Sequence, residues 1–175
     1  LLAVGDETSI PTSSRKHLRM LAPDHEILYS RWHSLLRVDV SKGGPRDSAV
    51  ERRFIWHDAN VGSSFTLVPS QEAGAAEWDG TFKQVPHLIT EAPNVLVIGA
   101  AGGVDLAVAL HYGARHATGV EINPVTYGLI HGEFADFTGR LVYRPDVDYV
   151  LSEGRRFAEL HPNEFDLSDY RTKPA

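Results

Sequence analysis

The sequence predicts an α/β protein in which a small antiparallel β unit precedes a parallel sheet wrapped by helices. Three observations carry the prediction. From Val95 onward, short apolar runs alternate with helical patterns, the order that builds a parallel sheet. A glycine-rich punctuation, Gly99 to Gly103, stands between the first such run and the first helical pattern. Residues 26 to 70 instead carry closely spaced β-like runs joined by turn residues.

Taken in order, residues 1–25 are polar and punctuated by Gly5, Pro11 and Pro23, and read as a leader or linker with a short helix over Arg15–Leu21. Residues 26–92 form the β unit and its connector. Glu26–Tyr29 and Leu35–Val40 read as strands, the second with Val38 and Val40 alternating against Arg37 and Asp39. A turn at 42–45 follows. Two further β runs, Arg53–His57 and Ser64–Val68, flank Asp58 to Gly62, which has hairpin chemistry. Gln71–Gly80 reads as a loop of small residues, and Phe82–Thr90 as a short helix or connector.

Residues 93–175 form the parallel half. Strands are expected at 95–98, 117–122 and 147–151, with a fourth beginning at Phe165. Helices are expected at about 103–113, 124–137 and 154–160, the middle one opened by Asn123 as N-cap and Pro124 at its first position. A strand, a glycine turn, a helix and a second strand ending on Glu121 form a nucleotide-binding pattern. Backbone N–H groups in such a turn approach the ligand, and a carboxylate about 20 residues onward takes the ribose hydroxyls.

Composition narrows the function classes. A formal net charge of −6 argues against nucleic acid or an anionic membrane as partner. The absence of cysteine excludes disulfides and thiolate sites and fits a reducing compartment, so the expected location is cytoplasmic. No apolar run approaches the roughly 18 residues of a membrane span. Leu1 is not a natural start, so some N-terminal sequence is expected to be missing. The nine histidines lack metal-ligand spacing, and no metal site is expected.

With these residues in hand, the chain resembles the spermidine synthase-like (polyamine synthase) family, within the Rossmann-like S-adenosylmethionine-dependent methyltransferase superfamily. The resemblance spans roughly residues 28 to 167. V-L-V-I-G-A-A-G-G matches the family's glycine motif, with aliphatic Val97 where typical methyltransferases carry an acid; G-V-E-I-N-P matches the second-strand motif, and V-L-S-E-G-R-R-F the third. S-R-W-H-S-L-L-R-V-D-V resembles the family's N-terminal β segment. The resemblance implies a Rossmann-like sheet and a site for S-adenosylmethionine or its decarboxylated form as cosubstrate. Gly99, Gly102 and Gly103 would pass close to the methionine-like portion, Asp105 would hydrogen-bond there or cap its helix, Glu121 would hold the ribose, and Glu153 the adenine edge. It further implies alkyl transfer, aminopropyl or methyl, to a small-molecule amine such as a polyamine, with Gln71, Trp78 and Asp79 bordering the acceptor pocket.

The resemblance stops short of the chemistry. Glu164 to Leu167 matches the start of the fourth strand, and the acidic stretch that supplies the family's base does not follow. Asp169 stands too early and reads as a solvated acid, so the catalytic residue is unassigned. The sheet is incomplete after its fourth strand. A sequence given in part, a genuine fragment and a sheet completed by another chain all explain this, the first being the expected one. An exposed fourth strand also invites a homodimer. Two other function classes stay open: a non-catalytic binding or assembly module, and an NAD-dependent oxidoreductase, against which Ala101 stands where the second glycine of G-x-G-x-x-G belongs.

Overall fold

A computed structural model describes residues 26–42, 51–68 and 70–170. The leader helix at Arg15–Leu21, the turn over 43–45 and everything beyond residue 170 lie outside the described residues. The first sheet is a meander of β1 (Glu26–Trp32), β2 (Arg37–Lys42), β3 (Glu51–His57) and β4 (Asn60–Leu67), antiparallel throughout. Asp58 and Ala59, both at positive φ (49° and 61°), make the two-residue loop between β3 and β4. Paired left-handed residues match the twist of the flanking strands, so the chain reverses tightly there. Val38, Val40, Ile55 and Phe65 all point into the core.

Gln71–Trp78 is a helix, α1, and not the expected loop. Its start is fixed by Ser70, whose side chain accepts from the Ala73 N–H, and alanines sustain the turns that follow. Of the expected helix at 82–90, only a 3₁₀ turn at Val85–Leu88 forms, with Pro86 at its entry.

The second sheet has order β7-β6-β5-β8, with all pairs parallel. Its strands are β5 (Asn94–Ile98), β6 (His116–Glu121), β7 (Val147–Leu151) and β8 (Leu167–Tyr170). The connecting helices are α2 (Val104–His111), α3 (Pro124–His131) and α4 (Gly154–Leu160). Asn123 caps α3 as the sequence predicts, its side chain accepting from Val125 and Thr126. α3 stops at His131, six residues before its expected end, because the chain departs from helical geometry at Gly132 (φ −116°, ψ −98°). Turns then carry Phe134 and Ala135 into the core. β8 begins at Leu167, two residues late, since Asp166 is spent pinning Asn94: its N–H donates to the Asn94 carbonyl and its carboxylate accepts from the Asn94 N–H.

Odd-numbered residues of β5, β6 and β7 (Val95, Val97, Ala117, Val147, Tyr149) face α2 and α3. The same apolar cluster continues into the first sheet, where Phe65 stacks on Phe134 at 4.6 Å between ring centroids. A backbone bridge between Phe65 and Gly103 ties β4 to the glycine turn. The two sheets therefore share one core, and the turn sits at their joint.

Candidate functional site

Strand order locates the site before any side chain is considered. From β5 the chain steps outward to β6 and β7, then returns to lay β8 on the other flank of β5. In open α/β sheets, ligands bind beyond the strand carboxyl ends where the winding reverses. Here that point is Ile98–Gly99. A hollow of about 470 Å³, lined by Ile98, Glu153, Arg155, Ala158 and Glu159, opens beside it.

The three candidate glycines have different work. Gly99 is at φ 77°, and a Cβ built there meets nothing within 4 Å, so its backbone faces open space. Gly102 is the opposite case. A Cβ there would lie 1.9 Å from the Ser64 carbonyl oxygen, so this glycine lets the turn press against β4. Gly103, at φ 82°, leads into α2 and bridges to Phe65.

Between them, Ala101 holds a left-handed conformation (φ 43°). That costs a residue with a Cβ about 1–2 kcal/mol. Two hydrogen bonds hold it: its N–H donates to Glu121 Oε2 at 3.0 Å, and its carbonyl accepts from the Tyr149 hydroxyl at 2.5 Å. Glu121 Oε1 accepts from the Asn123 N–H at 2.6 Å. Glu121 is only 5% exposed. Burial pushes its carboxyl above the ordinary range, opposed by the backbone N–H groups of Asn123, Ala101 and Ile122. Burial, reinforced by the charge of Glu121 and by Tyr127, also raises the Tyr149 phenol, which stays a neutral donor.

Two further candidate acids are engaged within the chain. Asp105, in the first turn of α2, forms an ion pair with Lys83. Glu153 is the exposed N-cap of α4 and accepts from the Arg155 and Arg156 N–H groups at 3.0 and 2.8 Å; these bonds hold its carboxyl below the ordinary value. Glu121 ends β6, Glu153 stands two residues past the end of neighbouring β7, and Ile122 is 55% exposed. Gln71, Trp78 and Asp79 gather instead on the seam of α1 with α2. Gln71 donates to the His111 carbonyl, Trp78 packs edge-on against the His111 ring, and Asp79 accepts from the Tyr112 hydroxyl. Asp169 pairs through its backbone with Val97 in β8.

Sequence reasoning missed Ala101 and Tyr149. An alanine carries no mark of a left-handed turn. Tyr149 offered one signal, a phenol on the core-facing side of β7, where a hydroxyl needs a partner. Among the described residues, no three His, Asp or Glu side chains group closely enough to hold a metal, and no helix is long and apolar enough to cross a membrane.

No model of a known protein family matches the chain, and no curated protein does. Solved structures do. Spermidine synthase from Thermotoga maritima superposes with a TM-score of 0.60 at 19% identity, over 81% of this chain and 46% of that one. A spermidine synthase in complex with the transition state analogue AdoDATO matches with the same score and identity, over 81% of this chain and 45% of its own. The fold is spermidine synthase-like, and the chain spans less than half the length of these relatives.

Proposed function

We propose that this chain binds S-adenosylmethionine or its decarboxylated form at the carboxyl end of β5, as the adenosyl-binding part of a transferase that moves an aminopropyl or methyl group to an amine acceptor. One observation carries the reading: the reversal of strand order falls at Ile98–Gly99, an open-faced glycine turn, beside a hollow lined by Ile98 and Glu153, with Glu121 ending the neighbouring strand. The likeness of fold to a structure solved with AdoDATO supports it. A carboxylate has about four lone-pair directions. Backbone N–H groups of Ala101 and Asn123 engage one oxygen of Glu121 each, leaving capacity for ribose hydroxyls. The exposed face of Ile122 suits an adenine ring, with Glu153 at its edge. Gly99 admits the sulfonium side, while Gly102 and Gly103 hold the turn in place. The functional division is at residue 93, with 26–92 as the acceptor-side unit, and a cysteine-free chain of this kind suits the cytoplasm.

A sulfonium supplies an already activated carbon. The protein's share is then to hold the acceptor in line and remove its proton. The residues described here account for holding the ligand and assign no base.

A second reading has its own support. Asp105 is paired with Lys83, and both oxygens of Glu121 brace backbone, which is how a binding or assembly module without turnover would use these acids. Calorimetry against S-adenosylmethionine, its decarboxylated form, methylthioadenosine and NAD separates the readings. Saturable binding of the adenosyl-sulfonium ligands with no response to NAD is expected. If none of the four binds to folded protein, the leading reading is overturned.

A further inference from the structure

The turn at Ala101 is held from three directions. Glu121 takes its N–H, Tyr149 takes its carbonyl, and the next residue, Gly102, lies against the Ser64 carbonyl. The Gly102 and Glu121 contacts come from positions that the glycine and second-strand motifs already mark. The Tyr149 contact comes from the middle of β7 and belongs to no motif. Tyr149 is itself fixed: its ring packs against Tyr127 at 5.7 Å and His131 at 5.6 Å, it is 7% exposed, and its hydroxyl has one short acceptor. A carbonyl tied in this way cannot rotate toward the ligand. The peptide units on either side of Ala101 therefore keep one orientation, while the Gly99 and Ala100 N–H groups before them donate to the Val120 carbonyl at 2.8 and 3.1 Å.

We propose that Tyr149 is a positioning residue for the adenosyl ligand, acting through the Ala101 carbonyl to fix the glycine turn against the sulfonium-side chain of that ligand. This rests on the adenosyl reading above. It adds a specificity role: Tyr149 distinguishes the full sulfonium ligand from bare adenosine, because adenosine is held by Glu121 and Ile122 and does not need the turn. A residue that served only the general stability of the fold would weaken both ligands alike.

The test is Tyr149→Phe, which keeps the ring and its stacking and so retains the fold. Calorimetry compares decarboxylated S-adenosylmethionine with adenosine on wild type and variant. Removing one neutral hydrogen bond at the turn is expected to weaken the sulfonium ligand about tenfold while adenosine changes by less than about threefold. Equal losses for the two ligands, or none for either, overturn the proposal. A second measurement needs no ligand: amide hydrogen exchange of Ala101 in the free protein, expected to speed up about tenfold in the variant as its bond to Glu121 loosens. Unchanged protection overturns the clamp even where the wild type binds both ligands. A wild type that binds neither ligand overturns the adenosyl reading and the specificity role with it; faster exchange in that case shows that the clamp is real and that the ligand assignment failed.

Discussion

The carboxyl ends of β6 and β7 lie side by side in one sheet; Glu121 ends the first, Glu153 stands just past the second, and each accepts from backbone N–H groups. The outcomes are opposite. Glu121 is buried and its carboxyl is pushed up, whereas Glu153 is exposed and its carboxyl is held down. Hydrogen bonding to the charged form is similar at the two tips, so desolvation decides the difference. The tip of β6 is a braced interior joint, where the acid organises the glycine turn. The tip of β7 is an open rim, where the acid starts a helix and remains accessible. A site built across both has one rigid wall and one adaptable wall.

The sharpest break of that contrast is Gly102→Ala. The added methyl would sit 1.9 Å from one backbone atom of Ser64 and 2.3 Å from another, neither of which can swing aside as a side-chain end would. The turn or β4 must move, at a cost of about 3 kcal/mol. Urea denaturation is expected to show that loss, and the stacking of Phe65 on Phe134 should loosen with it in the near-ultraviolet circular dichroism. A stability within error of wild type would mean that the braced joint does not exist.

Next in size is Glu121→Gln. The amide nitrogen cannot accept, so one of the Ala101 and Asn123 N–H groups is left buried without a partner, at about 2 kcal/mol near neutral pH. Acid conditions should widen that difference. A carboxyl whose folded pKa is raised holds its proton more tightly in the folded state. Its charge therefore costs stability above the folded pKa, and that cost is relieved as pH falls through it toward the ordinary value of 4.5. Between neutral pH and pH 4.5, wild type should gain from Glu121 a stability increment that the variant lacks. Parallel pH profiles of the urea midpoint for the two proteins would show that Glu121 is not the buried, raised group.

How much of this was legible depended on whether the cause was local. Strands β5 and β7 could be read to within a residue, because β-branched runs bounded by turns signal themselves. The Asn123–Pro124 helix start was equally plain. Helix α1 was not, because Gly74 in its middle reads as a breaker. Its reason is remote: a Cβ there would lie 2.5 Å from the His111 ring, so the glycine serves the contact between α1 and α2. Gly102 was expected to pass close to a ligand, whereas the neighbour it presses against is Ser64, 38 residues earlier in the chain. Tyr149 reaches Ala101 across 48 residues, a pairing that no local pattern carries. The motif thus marked the glycine turn, while the forces that shape that turn came from the other sheet and from β7.

Glu153→Ala is the smallest expected effect, and it probes the open rim alone. The variant loses the side chain that accepts from Arg155 and Arg156, so α4 should fray at its start and the melting temperature should fall slightly at pH 7. The sign with pH is the reverse of that at Glu121. A lowered folded pKa gives stability that is present above the ordinary 4.5 and disappears as pH falls through the folded value. Wild type and Glu153→Ala should therefore converge in strong acid, while wild type and Glu121→Gln diverge further as pH falls from neutral toward 4.5. Circular dichroism melts at pH 3 and pH 7 check both. Should the two glutamates show the same pH sign, the contrast between a braced tip and an open one fails; opposite signs would attribute it to burial, since both acids accept from backbone N–H groups and only Glu121 is buried.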